Sequence, residues 1–173
     1  MAQIIKFTKV RDVKSPVRGT AQAAGIDFFV PNYSPSFLVD LIKKNPFVKC
    51  SIEDDTMYIV IPANGRVLIP SGIKTFMSAD TALIGANKSG VASKKGLVFG
   101  AHVIDSDYSG EIHINVINTN DSDVMITCGE KLIQFIHTPV ILSTLEEVNL
   151  NDYEALHEGS LRGAGGFGST GTK

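Results

Sequence analysis

Apolar and polar positions alternate with a period of two over much of this chain. Ile112, Ile114 and Val116 alternate with His113, Asn115 and Ile117, which makes one face of that run buried and the other mostly polar. Similar short runs, separated by glycine, proline and aspartate, predict strands at Ile4–Val10, Ile26–Val30, Met57–Ile61, Arg66–Ile69, Ile73–Met77, Ala82–Gly85, Leu97–Ala101, Glu111–Asn118, Asp123–Thr127 and Leu132–Pro139. Strands recurring about every ten residues with turns between them indicate a sandwich, jelly roll or barrel. No internal repeat is visible.

One segment breaks the pattern. Ser34 stands at a cap position before Pro35, apolar residues follow at Leu38, Leu41 and Ile42, lysines at 43 and 44 come late, and Pro46 closes the run. These signals predict one short helix in an otherwise all-β chain. Ser34–Asp55 is therefore read as an insertion, a surface elaboration at the edge of the β-body and a candidate partner-binding arm.

The end of the chain has its own chemistry. Leu161 to Gly171 holds five glycines with Arg162, Phe167, Ser169 and Thr170. Glycine at that density forms no helix or strand interior. It does let backbone N–H groups turn toward an anion, with Arg162 as a fixed charge and the two hydroxyls as further donors. Phe167 offers a flat apolar face suited to a base or sugar. Taken alone, the segment reads equally as a disordered linker. It is not a Walker A loop, because no lysine follows Gly168 and no helix follows the loop.

Composition narrows the classes. The chain has 173 residues, enough for one domain with a sizeable core, and a net charge of −2, which argues against a duplex nucleic-acid footprint. Cys50 and Cys128 lack zinc spacing and read as buried small apolar residues in a reducing compartment. No apolar run suits a membrane span or a signal peptide, so the expectation is a cytoplasmic protein, or one of the nucleus or host cytosol if viral.

Four further clusters bear chemistry. Ala23-Ala24-Gly25-Ile26-Asp27 leads small residues into a carboxylate, or is simply a turn into a strand. Asn87-Lys88-Ser89-Gly90 sets a cation and a hydroxyl beside a glycine, and reads equally as a surface turn. In His102–Gly110, Asp105 ends an apolar run, where it can take a proton from water or cap a hairpin. Gln134 sits within an apolar strand, where a buried amide needs partners.

Together and in this order, the five segments resemble the trimeric all-β dUTPase family. The family patterns AAGYDL, PRSG, GVIDxDYxG, GDRxAQL and RGxGGFGSTG correspond to AAGIDF, NKSG, HVIDSDYSG, GEKLIQF and RGAGGFGSTG here. The resemblance implies a distorted jelly-roll (β-clip) body over residues 1–160, a flexible nucleotide-covering arm over 161–173, and a homotrimer with shared active sites. In the family the first, second and fourth motifs come from one subunit, the third from a second and the fifth from the third.

It implies hydrolysis of dUTP to dUMP and pyrophosphate with Mg2+ on the phosphates. By match of position, Asp105 activates the attacking water and Tyr108 lies under the deoxyribose. Backbone groups of Gly100, Ala101 and His102 read uracil. Lys88, Ser89 and Gly90 hold phosphate, while Gln134 and Asp27 reach the metal through water. Phe167 stacks on uracil, and Arg162, Gly168, Ser169 and Thr170 close on the γ-phosphate. The chain departs from the family at Lys88 (usually arginine), Asn87 (proline), His102 (glycine) and Ile26 (tyrosine). Competing readings are a nucleotide-binding regulator of the same fold, and a dCTP deaminase. The deaminase reading requires a glutamate where Asn115 stands.

Overall fold

The computed structural model describes residues 4–161 and 163–165. These fall into two compact units, Met1–Ile141 and Leu142–Lys173. In the first unit the strands are β1 (Lys6–Lys9), β2 (Val17–Arg18), β3 (Gly25–Phe28), β4 (Lys49–Glu53), β5 (Thr56–Ile61), β6 (Arg66–Pro70), β7 (Ile73–Phe76), β8 (Thr81–Asn87), β9 (Leu97–Phe99), β10 (Val103–Asp105), β11 (His113–Asn118), β12 (Val124–Ile126) and β13 (Ile133–Pro139). Two helices join them, α1 (Pro35–Lys44) and α2 (Ser89–Lys95). The second unit holds α3 (Leu150–Leu156), whose residues are all exposed.

The strands build a five-stranded sheet ordered β10-β8-β13-β3-β2, two three-stranded sheets, β6-β11-β9 and β12-β5-β4, and the ribbon β1-β7. They do not close into a barrel. All paired strands are antiparallel. The period of two predicted for β11 is present: Ile114, Val116 and Asn118 point inward. One apolar core runs through Phe28, Ile59, Ile69, Leu83, Ile114 and Phe135, and Phe28 meets the edge of Phe135 at 4.7 Å. Among the described residues no helix is long and apolar enough to cross a membrane.

The predicted helix is α1, with Ser34 Oγ accepting the N–H of Phe37 at 3.2 Å and Pro35 in the first turn. Its place corrects the expectation of an edge decoration. Phe37 and Leu41 are completely buried, each contributing about 1.5–3 kcal/mol. Asn45, just past the helix, donates to and accepts from the backbone of Leu68 at 2.8 Å, so its amide stands in for a strand at the open edge of β6. The rest of the insertion is β4, a partner of β5.

The expectation of a single helix is corrected as well. Helix α2 (SGVASKK) carries too few apolar residues to show a helical period. Helix α3 does have a local signal, Asn149 Oδ1 accepting the N–H of Asp152. The cysteines are both exposed free thiols rather than buried, Cys50 because β4 is an edge strand.

Candidate functional site

Strand register brings the first, second and fourth motif segments to one corner. Gln134 of β13 lies opposite Asp27 on one side and Ala86 on the other. Asp27 is only 5% exposed. Its carboxylate is held by Lys88 Nζ at 2.5 Å and by Lys131 Nζ at 3.2 Å, which compensates the buried charge. Gln134 donates through Nε2 to the carbonyl of Asn87 at 3.0 Å, and no donor reaches its Oε1 among the described residues. The Gln134 side chain lies across Gly25, where an added Cβ would come within 2.0 Å of Oε1. That close approach is the reason for glycine in the first motif.

The second motif opens α2. The carbonyl of Lys88 accepts the N–H groups of Val91 and Ala92. The N–H groups of Ser89 and Gly90, in the first turn, have no intrahelical partners. A Cβ on Gly90 would meet nothing within 4 Å, so the free chain itself does not demand glycine there.

The third motif lies on the open β9–β10 turn, a hairpin whose two arms pair with β11 and β8 rather than with each other. Gly100 donates its N–H to the carbonyl of Asn115 at 2.9 Å. The replacement of glycine by His102 is absorbed without blocking the hairpin mouth. Its Nδ1–H donates to the carbonyl of Gly85 at 2.8 Å, Gly85 N–H returns a bond to the His102 carbonyl at 2.6 Å, and the imidazole packs edge-on to Phe99. The ring thus folds back on β8 and leaves the hairpin to present backbone. Asp105 ends β10 opposite Ala82, exposed and without a side-chain partner among the described residues. Tyr108 is 43% exposed. Its hydroxyl donates to the carbonyl of Glu111 at 2.9 Å, and its ring occupies the space a Cβ on Gly110 would need.

The two groups do not meet within one chain. Asp105 faces Ala82 and Gln134 faces Ala86, on opposite sides of β8. Four residues along the strand and two strand spacings across it separate them by roughly 16 Å, more than a triphosphate spans. Nor does the cleft of about 440 Å³ beside the end of α1 gather them. Lys44, Phe47 and Arg66 line it, with Asn115 at one wall as the nearest residue to the hairpin.

Three residues at the site have no role assigned from the sequence, two of them inside motif segments. Lys131 shares Asp27 with Lys88. Asn87 ties the second motif to the fourth through its carbonyl and to the hairpin through Oδ1, which accepts Phe99 N–H at 2.8 Å. Arg18 clamps the first motif by donating to the carbonyls of Ala23 and Ala24 at 2.6 and 2.8 Å. Their spacing in sequence gives no sign of these partnerships, which depend on register. Arg162, Phe167, Gly168, Ser169 and Thr170 lie outside the described residues.

Residues 54–171 match the dUTPase family model. The deoxyuridine 5'-triphosphate nucleotidohydrolase of Yarrowia lipolytica is 33% identical over 92% of this chain and 83% of its own length. That of Paramecium bursaria Chlorella virus 1 is 32% identical over 99% of both chains. Among solved structures, a Staphylococcus bacteriophage 80alpha dUTPase mutant with dUpNHpp superposes with a TM-score of 0.72 at 19% identity, covering 97% of this chain and 98% of that one. The dUTPase of Streptococcus mutans gives 0.60 at 27% identity, over 80% and 98%.

Proposed function

The chain belongs to the dUTPase family, and on that premise we infer that it is a dUTP diphosphatase, hydrolysing dUTP to dUMP and pyrophosphate. The observation that carries the reading is Asp105, an exposed carboxylate with no side-chain partner among the described residues at the end of an apolar strand, beside a tyrosine ring fixed over a glycine. A carboxylate so placed can accept a proton from water. The water oxygen bonds to the α-phosphorus, the bond from that phosphorus to the bridging oxygen breaks, and pyrophosphate leaves in line. Tyr108 lies under the deoxyribose and crowds a ribose 2'-hydroxyl. Backbone groups of Gly100, Ala101 and His102 read the uracil edge, which a thymine methyl does not fit.

The other corner takes the phosphates. Lys88, the Ser89 hydroxyl and the free N–H groups of Ser89 and Gly90 supply donors to phosphate oxygens. No group of three or more His, Cys, Asp or Glu able to cage a metal occurs among the described residues. That donor chemistry suits Mg2+, which keeps several waters and rests on substrate phosphates. Gln134, whose Oε1 meets no donor among the described residues, would hold one of those waters, and Asp27 another where its lysines leave room. Bound there, the ion offsets charge on the triphosphate and polarises its oxygens.

The roughly 16 Å between the two halves supports a site assembled from different copies, a homotrimer in which one subunit supplies the phosphate corner and a second the hairpin. By the match of the fifth motif, residues 161–173 would serve as the covering arm, with Phe167 for the base and Arg162, Gly168, Ser169 and Thr170 for the γ-phosphate. The enzyme acts on the cytoplasmic nucleotide pool, keeping uracil out of DNA and supplying dUMP for dTMP synthesis. The exposed face of the insertion, with Val39 and Phe47, is the surface a partner would use. Asn115 offers an amide where a deaminase needs a carboxylate, which disfavours that reaction.

The test is pyrophosphate release from dUTP with magnesium, beside dCTP, dTTP and UTP. Turnover of dUTP alone is expected. Binding of dUTP without turnover would instead make the chain a nucleotide-binding regulator.

A further inference from the structure

The inserted helix and the sugar-side turn share one ion cluster. Arg11 lies between β1 and β2 with its side chain 14% exposed. Its Nε and Nη2 donate to the two carboxylate oxygens of Glu111 at 2.7 and 2.9 Å, a two-pronged pairing that lysine does not reproduce. Nη2 also donates to Asp40 of α1 at 2.6 Å, and the guanidinium carbon stands 5.8 Å from the ring centre of Phe37, one helical turn earlier. Glu111 Oε1 takes a further N–H from Gly72 at 2.7 Å. The side chain of Glu111 is thus held by two segments distant in sequence, at Arg11 and Gly72, and Arg11 is held in turn by α1.

The backbone of that same residue holds Tyr108. The Glu111 carbonyl accepts the tyrosine hydroxyl at 2.9 Å and is also the partner of His113 Nδ1 at 2.7 Å. Tyr108 is otherwise exposed on a turn, and it has no aromatic neighbour among the described residues. What fixes its ring is the missing Cβ of Gly110 and the position of residue 111. We propose that Arg11 is a positioning residue that couples the inserted helix, through Asp40 and Glu111, to the tyrosine that selects deoxyribose. This rests on the dUTP reading of the site.

Exclusion of a ribose hydroxyl is steric, so it depends on a ring that does not yield. Loosening Glu111 lets Tyr108 drift and admits the bulkier sugar. The proton transfer at Asp105 is untouched. The signature is therefore a change in selectivity rather than a uniform loss of rate.

The experiment measures kcat and KM for dUTP and UTP, together with thermal melting, in the wild type and in Arg11→Met, Arg11→Lys and Asp40→Asn. Arg11→Met is expected to lower the dUTP/UTP ratio of kcat/KM by about tenfold, and to raise KM for dUTP more than it lowers kcat. Arg11→Lys should recover part of the ratio, because the charge returns without the fork. Asp40→Asn keeps the Arg11–Glu111 pair and loosens only the helix tether. It should lower the ratio by about two- to threefold, and it carries the test if Arg11→Met does not fold. Equal losses for both substrates, with the ratio at its wild-type value in every folded variant, would overturn the coupling and leave a structural ion cluster. A wild-type protein that leaves dUTP intact would overturn the functional reading, and the inference with it. Wild-type turnover tells the two failures apart.

Discussion

The phosphate corner and the hairpin differ in how their carboxylates are kept. Asp27 is buried between two lysines and below a glutamine, with both oxygens engaged. Asp105 is exposed at a strand end, with no side chain turned toward it among the described residues. A buried carboxylate demands compensation or it destabilises the fold, so Asp27 is committed to structure as well as to the site. An exposed one is satisfied by water and remains available to react. On the proposed reading, the lysines that neutralise Asp27 also stand where phosphates would arrive, which would give that corner its cations before the anion binds. The difference separates positioning from proton transfer, and it can be attacked from either side.

The largest effect is expected at the exposed carboxylate. Asp105→Asn should lower turnover by about 100- to 10,000-fold, while the melting curve shifts by no more than about 0.5 kcal/mol as for other surface changes. A comparable loss of stability would mean that Asp105 is structural after all. Replacing both Lys88 and Lys131 by alanine strands a buried carboxylate. This should cost about 3 kcal/mol of stability, the low end for a broken buried pair, because both lysines are partly exposed. Denaturant unfolding with an unchanged midpoint would put Asp27 in the same class as Asp105 and erase the contrast.

A smaller effect is expected at Gly25. Gly25→Ala drives a methyl into Gln134 Oε1 and should destabilise by about 1–3 kcal/mol through overpacking. KM should rise as the glutamine is displaced from the phosphate corner. Wild-type KM and melting would show that Gln134 can swing aside freely.

The mildest effect is a pH slope that belongs to the hairpin side. His113 shares the Glu111 carbonyl with Tyr108, and its pKa lies below the ordinary value of 6.5, chiefly because burial opposes the charge, with Lys44 and Arg11 adding repulsion and Glu111 opposing them. Above 6.5 the ring is neutral in both folded and unfolded chains, so it contributes no slope. As pH falls below that point the unfolded chain takes the proton first, and stability falls until the folded-state pKa is passed. The melting temperature should drop as pH falls from about 6.5 to the folded-state value, and His113→Gln should flatten that drop. An unchanged slope in the variant would assign the acid sensitivity elsewhere.

Sequence and structure agree best where the signal is local. The period of two in β11 and the Ser34–Pro35 start of α1 are both present as read. The burial of α1 was not legible, because Phe37 and Leu41 become core residues only once β6 lies beneath them. Helix α2 was invisible for lack of an apolar period. The exposure of Cys50 follows from β4 being an edge strand, a fact about pairing rather than about cysteine. At the site, the motifs named Asp27, Lys88, Gln134, Asp105 and Tyr108. They gave no role to Lys131 or Asn87, although both lie in motif segments, nor to Arg18 outside them, because the partners of all three are fixed by strand register or by turns. The harmless fit of His102 rests on a bond to Gly85, 17 residues away.

The amino-acid sequence by itself determined the all-β character, the one strongly capped helix, the family and the chemical types at each motif. All of these are written in short stretches, where periodicity, caps and residue order act over a few neighbours. Tertiary structure alone decided which charges meet and which stay free. It decided that Asp27 is neutralised while Asp105 is not, that the inserted helix is core, and that Arg11 reaches Glu111 across 100 residues. The physical reason is that an ion pair or a buried ring depends on strand register and packing, and those are set by the whole hydrophobic core rather than by any one segment.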